Sequence, residues 1–136
     1  MFFNIPLTLA PLLVYNLQLF GVFGAAAGDP WVSPVFTVAM MSDARFTLLF
    51  GDLLIVAGLV CLFVEIVKAT RTSAPTIVDH SMSLGVFILY LVEFLTVAGA
   101  ATSVFFILMV IALIDVVGGF TITIRGARRD FGFERQ

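Results

Sequence analysis

The chain has 136 residues, 61% hydrophobic and 12% charged, with a formal net charge of −2. Soluble domains carry about 25% charged residues, and a water-soluble fold of this length has too little interior to hide so much apolar side chain. That balance excludes an ordinary soluble enzyme and gives no reason to expect a nucleic-acid partner, so lipid is left as the solvent. The single cysteine, Cys61, excludes an internal disulfide and a cysteine-rich metal site. It lies in an apolar run and reads as a small hydrophobe.

The first predicted span is 5–27. Pro6 and Pro11 fall near its start, where first-turn N–H groups have no helical partner and proline is tolerated. Asn16 and Gln18 are two apart and point to different faces, so at least one turns towards protein. Ala25-Ala26-Ala27 resembles a signal-peptide cleavage site. Against cleavage stand the absence of Lys or Arg in Met1–Asn4 and a span too long for a signal core.

Residues 28–45 form the longest connection. Asp29-Pro30 and Ser33-Pro34 disfavour helix just before each proline. Val35–Met41 is apolar but too short to cross, and is expected as an interfacial turn or two of helix with Trp31 at headgroup level. Ser42 or Asp43 is the expected N-cap of the second helix.

The second span is 46–69. Gly51, Gly58 and Glu65 recur every seven residues, a stripe on which another helix can approach closely. Glu65 and Lys68 are three apart and can pair near the membrane edge. A polar loop, Thr70–Asp79, precedes a third span at 82–98, with Asp79 or Ser81 as its expected cap. His80, the only histidine, stands at that helix start. One histidine is too few for a bis-histidine haem or a zinc site, so capping or pairing is expected, with Glu65 within reach.

The fourth span is 103–124. Ser81–Ile124 contains only two charged residues, Glu93 and Asp115, and its small residues Ala98–Ser103 predict a tight helical hairpin. Residues 125–136 form a basic tail in which Arg125, Arg128 and Arg129 can meet lipid headgroups and set topology, and Phe131 and Phe133 can anchor at the interface. Lys68, Arg71, Arg125, Arg128, Arg129 and Arg135 lie on one side and Arg45 alone on the other. The positive-inside rule then puts both termini in the cytoplasm, as in an all-α, four-helix integral membrane bundle (N-in, C-in).

Asp52, Glu93 and Asp115 carry the chemistry, if there is any. An acid at the membrane centre costs about 2.5–3.5 kcal/mol on insertion scales, and such residues face the bundle interior or water. The predicted ends put Asp52 and Glu93 in one outer layer, about 9 and 8 Å deep, and Asp115 about 18 Å deep. Gly118 and Gly119 beside Asp115 give a face suited to helix packing. Tyr90, three residues before Glu93, can donate to it. Two roles fit: a proton or cation relay, or protonated acids acting as interhelical glue. No phosphate loop, zinc-protease helix or serine elbow is present, so neither a cofactor nor a metal is expected.

Ile77-Val78-Asp79-His80, Leu91-Val92-Glu93-Phe94, the run Thr102–Asp115 and the close Arg-Arg-Asp-Phe-Gly-Phe resemble a family of small bacterial four-span inner-membrane proteins without an assigned activity. The resemblance covers about half the chain and implies fold and location only. Small multidrug transporters are similar in length and helix number, but their essential glutamate lies in helix one, where this chain has no acid. The expected function is a non-catalytic accessory or assembly subunit of a larger membrane complex. The alternative is a proton- or cation-coupled transporter acting as a homo-oligomer; an integral membrane enzyme ranks third.

Overall fold

The computed structural model describes residues 5–24, 27–71 and 77–133, with the side chains of all of these except Ile77, Asp130, Phe131 and Phe133. Ala25 and Ala26 of the cleavage-like site, the polar residues 72–76, the Phe131 and Phe133 side chains and Arg135 therefore lie outside what is described. The elements run α1 (Leu9–Leu19), β1 (Pro34–Ala39), β2 (Arg45–Leu49), α2 (Phe50–Arg71), α3 (Ile77–Thr96) and α4 (Ser103–Phe133). Three helical stretches, Phe50–Arg71, Val78–Thr96 and Ser103–Arg129, are long and apolar enough to cross a membrane.

The first predicted span does not form one long helix. α1 has 11 residues, about 17 Å, against a hydrocarbon core of about 30 Å. Its end is encoded by Gly21. The Gly21 N–H bonds the Gln18 carbonyl at 3.0 Å and the Val22 N–H bonds Leu17 at 2.9 Å, the paired pattern of a Schellman cap. Gly21 has φ +75°, and Gly24 and Gly28 are also left-handed, a region that side chains with a Cβ rarely enter.

The 28–45 connection is not an interfacial helix. After a 3₁₀ turn at Pro30–Val32, where Asp29 accepts the Trp31 N–H at 3.0 Å, β1 and β2 form an antiparallel hairpin. Alternation explains it: Phe36 pairs with Leu48 and Val38 with Phe46 on one face, Thr37 with Thr47 on the other. Thr37 and Thr47 join through their hydroxyls at 2.9 Å. Ser42 and Asp43 cap no helix; they are part of the tip, with Asp43 at φ +61° and the Met40 N–H bonded to the Ala44 carbonyl at 2.8 Å. A three-residue hairpin loop closed by a left-handed residue is a common solution. β2 therefore occupies the expected first turn of helix two, and α2 begins at Phe50.

The remaining boundaries also shift. α3 starts at Ile77, so Asp79 falls in its first turn rather than at its cap, where free N–H groups favour an acid. The α3–α4 turn lies where the small residues predicted, with a 3₁₀ turn at Ala98–Ala100 and Thr102 accepting the Phe105 N–H at 3.2 Å. α4 does not stop at Ile124. Its 31 residues span about 46 Å, so the arginines Arg125, Arg128 and Arg129 sit on continuous helix and are exposed.

α4 is the hub. Its apolar window is 39% buried, against 22% for those of α2 and α3, and both pack on it. The core is built from Tyr15, Tyr90, Phe105, Leu108 and Ala112. Trp31, expected at headgroup level, is 6% exposed. It stacks on Tyr15 at 4.1 Å and on Phe50 at 5.6 Å, and Tyr15 meets Phe105 edge-on at 4.8 Å. This aromatic column ties the foot of the hairpin to α1 and α4.

Candidate functional site

α1 lies against the three long helices through one stripe: Thr8, Leu12, Tyr15 and Asn16. Three of these are almost fully buried, with Tyr15 at 0% exposure. Positions i, i+4, i+7 and i+8 share a helix face. Of Asn16 and Gln18, at least one of which was expected to turn towards protein, it is Asn16 that lies on this stripe; Thr8 and Tyr15, also on it, carry no signal in the sequence.

Each long helix offers a carboxylate to this short helix. From α2, Glu65 accepts the Leu7 N–H at 2.7 Å and the Lys68 ammonium at 3.0 Å. From α4, Asp115 accepts the Thr8 hydroxyl at 3.2 Å, with the buried Ser83 of α3 beside it. From α3, Glu93 accepts the Asn16 amide at 3.1 Å. The contacts rank by depth: Glu65 near the carboxyl end of α2, Asp115 about 18 Å along α4, Glu93 within about 5 Å of the end of α3. At the far end the Tyr15 hydroxyl donates to the Gly99 carbonyl at 2.8 Å and lies 2.7 Å from the Thr102 hydroxyl. α1 thus runs antiparallel to α2, from Glu65 towards the α3–α4 turn.

Tyr90 does not donate to Glu93. Its hydroxyl donates to the Thr8 carbonyl at 2.9 Å. Helical side chains lean towards the helix N-terminus, which carries the phenol away from a residue three positions later. Glu93 is left with one oxygen, Oε1, buried and without a hydrogen-bond partner among the described residues. Asp52 stands apart. With α2 starting at Phe50 it is exposed in the first turn, about 3 Å from the helix end, where the helix dipole favours it. Asp52, Glu93 and Asp115 therefore do not converge, and none of them lines the two cavities at the hairpin end.

His80 bonds Thr123 of α4 at 2.5 Å, rather than Glu65, and its ring lies 5.0 Å from Phe120. Gly119 makes room for it: a Cβ there would fall 2.8 Å from the ring Nδ1. Gly118 meets nothing within 4 Å. The Gly51 and Gly58 stripe is used inside the chain. A Cβ at Gly51 would lie 2.7 Å from Val104 and 2.9 Å from the Trp31 carbonyl, and one at Gly58 would lie 2.9 Å from Leu108. The stripe is therefore filled by α4 and the Trp31 turn and is not open to a partner helix.

Among the described residues no group of three or more His, Cys, Asp or Glu side chains could hold a metal ion. Chemically, the arrangement fastens one short helix through carboxylates from three long ones. Compared with protein-family models, curated proteins and solved structures, the chain matches none.

Proposed function

We propose that this is a non-catalytic protein of the bacterial inner membrane, working as an accessory or assembly subunit of a larger membrane complex. The hairpin lies on the outer face in this reading and the arginine-bearing end of α4 lies in the cytoplasm, against anionic headgroups. The hairpin carries the proposal. Phe36, Val38, Met40 and Phe46 are each about half exposed, and they occupy one face of a sheet with only two strands. A lone hairpin is marginal in water, and a contiguous apolar patch marks an interaction surface. Purified in mild detergent, the protein is expected to carry a second integral membrane chain at fixed ratio. Combining Phe36→Asp with Phe46→Asp should weaken that association by about 2 kcal/mol or more, roughly thirtyfold, with helix content by circular dichroism unchanged. A wild-type protein that runs as a lone monodisperse monomer overturns the reading.

One observation favours the second reading, a proton- or cation-coupled transporter acting as a homo-oligomer: the unpartnered Glu93 Oε1. A buried acceptor without a donor is costly, and a proton or bound cation would satisfy it. In liposomes, Glu93→Gln and Asp115→Asn are then expected to abolish flux without unfolding the protein. Unchanged flux in both removes this reading.

A further inference from the structure

The Schellman end of α1 turns the chain away from the bundle. The left-handed glycines Gly21, Gly24 and Gly28 carry it round to the Trp31 turn. A cleft remains between the carboxyl end of α1 and the foot of the hairpin. It consists of two adjoining cavities, about 500 and 460 Å³, that share Gln18, Gly24 and Pro30 on their walls. Either alone falls within the ~300–1,000 Å³ typical of small-molecule sites.

The walls state what fits. The first cavity is apolar, faced by Val14, Phe23, Pro34, Val35 and Phe50. The second adds Trp31, Thr102 and Asp29. Among the described residues on the two walls, Asp29 is the one that carries a charge, and none is Lys or Arg. A carboxylate or phosphate would meet a like charge and no counter-charge. Gln18 lies on both walls, and its partly buried side chain makes no hydrogen bond to a described residue. An amide can both donate and accept, which matches a hydroxyl or carbonyl. The cleft lies by the first turn of α2 and the α3–α4 turn, at the ends of the spans, where a lipid-soluble molecule can enter from the bilayer.

We infer that this cleft binds a single-chain neutral amphiphile, an alkyl or isoprenyl chain with a hydroxyl or carbonyl head. The chain lies along Val14, Phe23, Val35 and Phe50, and the head bonds Gln18. The inference does not depend on the accessory-subunit reading.

Trp31 is the sole tryptophan; it borders the second cavity and stacks on Phe50 of the first at 5.6 Å, so a bromine on a seated chain lies close enough to quench it. The probes are tail-brominated octadecanol and tail-brominated stearate, added at pH 8 to the full chain in phosphatidylcholine nanodiscs. The alcohol is expected to quench Trp31 saturably, with an apparent affinity at least about tenfold above that of the carboxylate. That ratio corresponds to about 1.4 kcal/mol, the scale of one good hydrogen bond. Gln18→Leu should weaken the alcohol and so narrow the preference, with Asp29 still disfavouring the carboxylate, and Val14→Phe should weaken both probes by filling the chain site. Val117→Phe, at an exposed position of α4, should leave quenching unchanged. Quenching that rises linearly with either probe, or that is equal for the two heads in the wild-type protein, shows bulk partitioning and overturns the inference. A preference for the carboxylate overturns it as well, and the wild-type comparison stands even if a variant fails to fold.

Discussion

Tyr15→Ala is expected to lower stability by about 3 kcal/mol. Truncation of a buried aromatic costs about 3–5 kcal/mol in water-soluble cores. In the membrane reading proposed above, the part of that figure that is transfer from water counts for less, because the unfolded reference is itself in an apolar medium, so the lower end applies. What remains is packing and hydrogen bonding. Tyr15 is fully buried, stacks on Trp31 with planes 7° apart, and bonds both Gly99 and Thr102. Its loss unfastens the carboxyl end of α1 and leaves Trp31 with Phe50 as its one stacked neighbour. Thermal unfolding in detergent, followed by circular dichroism and by Trp31 emission, measures both effects. Tyr15→Phe keeps the ring and should cost about 1 kcal/mol, the net worth of a typical hydrogen bond. If Tyr15→Ala melts with the wild-type protein, the aromatic column does not hold the hairpin end together.

Gly51→Val should be the next most damaging substitution. The first added carbon would stand 2.9 Å from the Trp31 carbonyl oxygen and 2.7 Å from a Val104 methyl. A methyl can rotate aside, but a backbone carbonyl moves only with its turn. Overpacking of this kind costs about 1–3 kcal/mol, and two branched carbons on a helix start put Gly51→Val at the upper end. The same substitution at Gly118, where nothing lies within 4 Å, should change the melting temperature little. Comparing the two melts in one detergent checks the prediction. Equal tolerance at both positions contradicts the close approach of the Trp31 turn to α2.

The α3–α4 hairpin was legible because its signals are local: a charge-poor run, then Ala98 to Ser103 at the turn. The Glu65–Lys68 pair was legible for the same reason, since a spacing of three fixes a shared face whatever surrounds it. α1 was misread because hydropathy averages over Gly21. The apolar residues continue past it, while the backbone turns at a left-handed glycine that a composition window does not see. The β-hairpin was misread because Phe36-Thr37-Val38-Ala39 alternates only weakly in polarity. Here β-branched and aromatic content carried the signal, and apolar length did not. The partners of the acids were hidden for a different reason. Thr8 and Ser83 look unremarkable in sequence and acquire their role only when three helices bring them to Asp115. The Gly51 stripe was seen correctly as a packing surface, but a stripe does not say whose helix fills it.

The junction between β2 and α2 has a mechanical consequence. No loop separates Leu49 from Phe50, Pro34 pairs with Leu49, and the Phe50 N–H bonds the Ser33 carbonyl at 2.8 Å. The hairpin is therefore a lever arm set directly on a long helical rod, with no hinge to absorb torque. Anything that grips and tilts the hairpin tilts α2 with it. Glu65 rides on the far half of that rod, so a pull on the hairpin is felt at the amino end of α1.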